Sequence, residues 1–93
     1  MQIIKLKVLA EAEAVRDAKV IYDAIETGWM VQVTYTTRSG ERIELLKRQR
    51  GGVRVFATLD AVARNLAGLG LPAFRVDATG LATTLMGDAI ASN

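Results

Sequence analysis

Residues 29–57 read WMVQVTYTTRSGERIELLKRQRGGVRVFA, and this stretch decides the fold. From Trp29 to Thr37, bulky apolar residues alternate with more polar ones at every second position, which is the pattern of a β-strand. Arg38-Ser39-Gly40 follows with turn chemistry, since glycine adopts the positive φ that short hairpin loops need. We therefore predict that residues 29–37 and 41–49 pair as a β-hairpin.

A third strand is predicted to extend this hairpin into a meander. Gly51-Gly52 marks the reversal, and Val53 to Ala57 alternates again. The face that carries Val31 and Val33 is expected to pack on the helices, together with Ile43, Leu45, Val53 and Val55. Strand alternation then gives the open face a more polar and basic set. This set is Gln32, Thr34, Thr36, Arg42, Glu44, Leu46, Arg48, Arg54 and Phe56.

The chain before the meander predicts a strand and a helix. Ile3 to Leu9 alternates, which is typical of a half-buried strand. From Ala10 the apolar residues recur at helical spacing, and Gly28 is a usual position for a left-handed helix cap. The apolar stripe of this predicted helix is Ala14, Ala18, Ile21 and Ile25.

The chain after the meander predicts a second helix and a last strand. Thr58 is a credible N-cap, and Asp60 adds favourable charge to the first turn. The apolar stripe of the helix is Leu59, Val62, Ala63, Leu66 and Leu69, and its stop signals are Gly68, Gly70 and Pro72. Ala73 to Ala78 then reads as a strand.

These elements predict an α+β fold of the order β-α-β-β-β-α-β. A two-layer sandwich follows, with a largely antiparallel sheet and both helices on one face, because each apolar face has to be covered. A chain of 93 residues closes one domain. We assign residues 1–79 to that domain and residues 80–93 to a C-terminal tail that is mobile or forms an interface.

The meander also concentrates positive charge. Six of the 12 basic residues lie between Trp29 and Ala57, against two glutamates, in a protein of net charge +2. A basic sheet surface on a small domain indicates a polyanionic partner, most often nucleic acid. The predicted nucleic-acid-binding residues are Arg38, Arg42, Lys47, Arg48, Arg50 and Arg54.

The composition argues against several kinds of site. The chain has no cysteine, hence no disulfide or thiolate metal site, and no histidine, the commonest general base and metal ligand. A hydroxyl such as that of Ser39 or Thr58 has no histidine to activate it. The stretch from Gly68 to Ala73 fits G-x-G-x-x-A, but it follows a predicted helix and precedes a strand, the reverse of a dinucleotide site. We predict no enzymatic activity, no cofactor and no metal.

The expected surroundings are cytoplasmic, with no membrane. No stretch approaches the ~20 apolar residues that span a bilayer. Met1 to Leu9 carries lysines within its apolar run and has no small-residue cleavage site after it.

Residues 50–76 carry a family resemblance in the sequence RGGVRVFATLDAVARNLAGLGLPAFRV. A strand ending in Val55-Phe56 leads through Thr58-Leu59-Asp60 into an alanine-rich helix, followed by glycine, an aromatic residue and valine. This segment resembles small plasmid-encoded accessory proteins of the partition-associated, ParC-like kind. The resemblance implies a role in plasmid maintenance, with DNA or a partition ATPase as the partner, and it assigns no catalytic residue.

The order of three strands and a helix is also similar to two other groups of domains. Phage integrase arm domains and plant ethylene-response factors read DNA with a three-stranded sheet, although this chain lacks their tryptophans on the later strands. Double-stranded-RNA-binding domains share the order of helix, three strands and helix. Their lysine-rich start to the last helix is replaced here by Thr58-Leu59-Asp60-Ala61.

Two functions follow as alternatives. The first is a non-enzymatic accessory module of plasmid or mobile-element maintenance that binds DNA, or a DNA-associated partner, through a basic β-sheet surface. The second is a homodimeric protein-interaction domain, because 51% apolar residues is generous for so short a chain. In the second case the arginines only confer solubility, and Leu81, Leu85, Met86 and Ile90 of the tail dock on a neighbour.

Overall fold

A four-stranded mixed sheet carries helices on one side, as the computed structural model of residues 1–82 shows. In chain order the elements are helix α1 (Ile3–Glu11), strands β1 (Val15–Asp23), β2 (Gly28–Thr37) and β3 (Gly40–Leu45), helix α2 (Leu59–Gly68) and strand β4 (Arg75–Asp77). Residues 79–82 are the described part of a third helix. The predicted class, a two-layer α+β fold with helices on one face, is confirmed.

The strand order is β3-β2-β1-β4. The pairs β1–β2 and β2–β3 are antiparallel, whereas β4 lies parallel to β1. Both helices and the inner face of β1 and β2 share one apolar core. Its fully buried side chains are Leu6, Val20, Val31, Val33, Leu46, Val62 and Leu66.

The predicted N-terminal strand is wrong, because residues 3–9 belong to helix α1. A short apolar run fits the period of a strand and the period of a helix, and only the helix turns the buried and the exposed apolar residues of this run to opposite sides. Leu6 is fully buried, with Ile3 and Leu9 packed beside it, while Ile4 and Val8 are 70% and 59% exposed on the opposite side. Alternation along a strand would have placed Ile4 and Val8 on the same face as Leu6.

The predicted helix from Ala10 to Gly28 is also wrong, because its centre forms strand β1. Alternation along β1 buries Ala18 and Val20 against the helices. Ile25, the last residue of the proposed helical stripe, is 91% exposed in the turn before β2. β1 forms eight residue pairs with β2, and a helix in its place would leave this edge of β2 without a partner strand.

The hairpin of β2 and β3 is confirmed, but its register differs by one residue from the prediction. Thr37 pairs with Gly40, so the loop holds only Arg38 and Ser39. Residues directly opposite in an antiparallel pair point to the same face, and loop length sets which residues are opposite. A loop of two residues in place of three therefore turns every side chain of β3 to the other face.

The consequence is that the predicted faces of β3 are exchanged. Glu44 lies opposite the buried Val33, and Arg42 lies opposite Tyr35, so both belong to the helix side of the sheet. Ile43 is instead 61% exposed on the open face, and Leu46, predicted to face outward, is fully buried.

The predicted third strand over residues 53–57 is reduced to two isolated bridges. Val53 pairs with Lys47, and Phe56 pairs with Trp29 at the end of β2. Phe56, predicted on the open face, is buried in the core at 6% exposure. The segment between Leu46 and Phe56 is therefore a loop held at both ends by buried side chains.

The second helix and the last strand are confirmed. Thr58 Oγ1 accepts a hydrogen bond from Ala61 N at 3.1 Å, which is the predicted N-cap. Val62 and Leu66 are the buried positions of α2. Of the predicted tail, Leu81 packs against the core, whereas Leu85, Met86 and Ile90 lie outside the described residues.

Candidate functional site

The structure divides the six predicted site residues into two groups. Arg38 lies in the β2–β3 turn and Arg42 within β3, on its helix side. The other four residues follow β3 at its opposite end, about 17 Å from the turn at the rise of an extended strand. They are Lys47, Arg48, Arg50 and Arg54, and we call residues 47–54 the basic loop.

The prediction that Arg42, Arg48 and Arg54 share an open sheet face is wrong. The open face instead carries paired charges on β1 and β4. Arg75 donates to Asp17 with Nη2 2.5 Å from Oδ2, and Lys19 Nζ lies 3.7 Å from Asp77 Oδ2. Because these charges cancel, positive charge is concentrated at the end of the sheet and not over its face.

Backbone contacts hold the basic loop in place. Lys47 N donates to Met1 O at 2.6 Å, and Arg54 N donates to Leu46 O at 2.9 Å. Between them the chain reverses at Gly51 and Gly52, whose φ values of 68° and 44° are in the left-handed region that favours glycine. The two ends of the loop are thus fixed while its charged side chains are exposed to solvent.

The side chains of the loop are exposed, and two of the guanidinium groups are oriented. Arg48 Nε donates to Val53 O at 3.3 Å, and the guanidinium of Arg54 lies 4.7 Å from the ring centroid of Phe56. Such a stacking contact costs the guanidinium little hydration and leaves its outer edge available for an anion. Arg48, Arg50 and Arg54 line one shallow concavity.

The basic loop contains no acidic residue. No aspartate or glutamate occurs from Leu45 to Leu59. Among residues 1–82, no ion pair involves any of the four loop cations. Asp23 and Glu26 line a pocket together with Arg48, but neither forms an ion pair with it in the described part of the chain. The four cations are therefore unpaired within residues 1–82 and can bind an external anion.

Glu44, the nearest acid along the chain, has partners of its own. The Tyr35 hydroxyl donates to it, Lys5 Nζ lies 3.0 Å from its Oε1, and the amino group of Met1 lies 3.2 Å from its Oε2. These contacts, led by the Tyr35 hydrogen bond, lower the pKa of Glu44 to about 2. The hydrogen bonds from Lys5 to Tyr35 and to Glu44 in turn raise the pKa of Lys5. Glu44 is thus ionised, and its charge is balanced by Lys5 and the Met1 amino group.

This cluster resembles catalytic arrangements in its residue types, but its geometry is structural. Tyr35 is only 4% exposed, and its hydroxyl is held between Lys5 Nζ, 3.0 Å away, and the carboxylate of Glu44. Little of the phenol is therefore accessible to a substrate.

Sequence reasoning missed a second part of the site, beside the basic loop. Gln2, Ile3 and Ile4 at the start of α1 line a pocket of about 310 Å³ together with residues of the loop. The alternation of residues 3–9 gave no signal for this arrangement, because a strand there would have turned these side chains elsewhere.

Within residues 1–82, no three acidic side chains come together in a way that could hold a metal ion. No helix in the same range has the length and apolar character needed to cross a bilayer. No protein-family model, curated protein or solved structure matches the chain.

Proposed function

We propose that this chain is a non-enzymatic accessory module that binds nucleic acid through the basic loop, residues 47–54. The observation that carries the proposal is the placement of four exposed cations on one anchored loop, none of them in an ion pair within residues 1–82. Phosphate groups are the anions that such a surface fits best, because arginine guanidiniums bind them in a bidentate manner.

The geometry favours contacts with the backbone of the nucleic acid. Lys47, Arg48, Arg50 and Arg54 lie at the end of the sheet, where neither a helix nor a paired strand presents a flat reading surface. Phosphate contacts position a protein without reading sequence. We therefore propose low sequence specificity and strong dependence of affinity on salt.

A charge-matched pair of variants tests this proposal. The first replaces Arg48, Arg50 and Arg54 with glutamine. The control replaces Arg38, Arg42 and Arg64 with glutamine. These three arginines are exposed outside the basic loop, so both variants lose three positive charges. Affinity for labelled DNA is measured by fluorescence anisotropy from about 50 to about 200 mM salt.

The loop variant should bind more weakly, and its log–log salt slope should fall by about 3, because each lost phosphate contact removes about one counterion from the release. The control should keep most of the affinity and slope. Equal losses in the two variants would show that net charge alone drives binding, and the site would then not be the loop.

The partner within a biological system is a separate part of the proposal. The resemblance of residues 50–76 to partition-associated accessory proteins supports plasmid or mobile-element maintenance, with DNA or a partition ATPase as the partner. A pull-down of a partition ATPase in the presence and absence of nuclease tests whether such contact is direct or passes through DNA.

A homodimeric interaction domain is the second candidate function. It is supported by apolar side chains that stay exposed in the described part of the chain, among them Ile4 at 70%, Val8 at 59% and Ile43 at 61%. Sedimentation equilibrium of the full chain and of a chain ending at Thr79 tests it. A monomer at high micromolar concentration for both chains would exclude this candidate.

A further inference from the structure

A pocket of about 310 Å³ opens beside the basic loop. Its accessible apolar surface comes from Ile3 and Ile4, because Leu46, which also borders the pocket, is fully buried. Amide groups are supplied by Gln2 and Gln49. Ligand pockets start at roughly 300 Å³, so the space is large enough for one small ring system.

The pocket and the cationic surface are parts of one site. Gln49 and Arg54 line both the pocket and the shallow concavity that carries Arg48 and Arg50. A ligand that fits this combination has an apolar, flat group with polar edges joined directly to negative charge. A nucleotide has this chemistry, with the base as the flat group and the phosphate as the charge.

The amide groups of the pocket are available for the edges of a base. Gln2 Nε2 donates to the backbone O of Gln49 at 3.1 Å, which holds the start of α1 against the loop and leaves Gln2 Oε1 as an acceptor. Among residues 1–82, no hydrogen bond uses the side-chain amide of Gln49, which has both donors and an acceptor to offer. Arg54, held over Phe56, presents a planar guanidinium at the rim.

We infer, on the basis of the proposed function, that the ligand is single-stranded nucleic acid, with one unstacked base in this pocket and the flanking phosphates on Arg48, Arg50 and Arg54. A duplex cannot make the same contacts, because its bases are stacked and their pairing edges are occupied. In a single strand the base turns out at a small energetic cost.

The test compares the affinity of the protein for one strand and for its duplex. A labelled oligodeoxynucleotide of 12 mixed-sequence residues is measured alone and annealed to its complement, at low salt, by fluorescence anisotropy. The single strand should bind roughly tenfold more tightly, the scale that one base contact gives. An oligoribonucleotide of the same sequence should bind as tightly as the DNA strand, since only base and phosphate contacts are involved. A strict preference for one sugar would contradict this contact set.

Pocket variants link the preference to the site. Ile4→Ser combined with Gln49→Ala should reduce the single-strand preference to near one, because the single strand loses its base contact while Arg48, Arg50 and Arg54 remain for the phosphates of both forms. Val8→Ser is the control, because Val8 lies one helical turn further on the same exposed side of α1 and does not line the pocket. Circular dichroism confirms that each variant is folded.

The outcomes separate this inference from the proposed function. Equal, salt-dependent binding of strand and duplex would overturn the inference and leave the basic loop as a duplex-binding site. An unchanged single-strand preference in the folded Ile4/Gln49 variant would also overturn it. Absence of binding to either form at low salt would overturn the proposed function itself.

Discussion

Lys5 of α1 and Glu44 of β3 form an ion pair across 39 positions of the chain, with Nζ 3.0 Å from Oε1. The pair joins the first helix to the edge strand of the sheet, and the Tyr35 hydroxyl donates a hydrogen bond to the same carboxylate. Because Glu44 is ionised in this arrangement, the contact depends on pH.

Acid should destabilise the protein through Glu44. Its pKa is about 2 in the folded chain, against an ordinary value of 4.5. A lowered pKa contributes stability that is present above the ordinary value and is lost as the pH falls towards the folded one. Arg75 lowers the pKa of Asp17 and Thr79 lowers that of Asp77, so both act in the same direction. The melting temperature should therefore fall between about pH 5 and pH 2.

Two variants show whether Glu44 is responsible. Glu44→Gln should lower the melting temperature at pH 7 and flatten its decline below pH 5. Glu41→Gln, at an exposed position on the same strand with no ion pair in residues 1–82, should keep the decline of the parent. A decline that is unaffected by Glu44→Gln would place the acid sensitivity elsewhere.

The register of β3 predicts that replacement by alanine costs much more stability at Leu46 than at Ile43. Leu46→Ala should destabilise by about 2–5 kcal/mol, because it empties a fully buried position. Ile43→Ala should change the free energy of unfolding by less than about 1 kcal/mol, since Ile43 is 61% exposed. Urea melts measure both changes. A larger loss of stability for Ile43→Ala than for Leu46→Ala would support the three-residue loop instead.

Thr58 should stabilise the N-terminus of α2 as its N-cap. Thr58→Ala should destabilise by about 1 kcal/mol, because the N–H of Ala61 loses its acceptor, whereas Thr58→Ser should be mild. A urea melt in which alanine is neutral would show that another group caps the helix.

Gly28 is required by a close approach of two backbone segments. A Cβ at this position would lie 2.8 Å from Phe56 O, and Trp29 N and Phe56 O are joined by a hydrogen bond of 2.8 Å. Gly28→Ala should therefore destabilise by about 1–3 kcal/mol. Gly68→Ala, with nothing within 4 Å of the added Cβ, should be neutral or stabilise by up to about 1 kcal/mol. Thermal denaturation separates the two, and a neutral Gly28→Ala would mean that Phe56 moves aside easily.

The elements with strong local signals were predictable. Strand β2 has unbroken alternation, and α2 has an N-cap at Thr58 together with stop signals at Gly68 and Gly70, so both were recognised. The N-terminal third has weaker signals. Residues 3–9 fit both periods, and the helical spacing of Ala14, Ala18 and Ile21 coincided with a sequence that also alternates, so local pattern favoured the wrong element twice.

The candidate site was only partly predictable, for a related reason. The cations of residues 47–54 are visible in the composition, but the pocket beside them is built by Gln2, Ile3 and Ile4, which are more than 40 positions away along the chain. Their contribution depends on α1 being a helix. The local sequence pattern could not predict that these residues lie beside the basic loop.

The sequence by itself determined the fold class, the β2–β3 hairpin, the capped second helix and the concentration of positive charge after β3, because each follows from neighbouring residues. Only the tertiary structure decided which face of β3 meets the helices, since pairing Thr37 with Gly40 and not with Glu41 reverses that face. It also decided that residues 15–23 form a strand, because the energy of a strand comes from the ladder it makes with a neighbour and not from its own sequence.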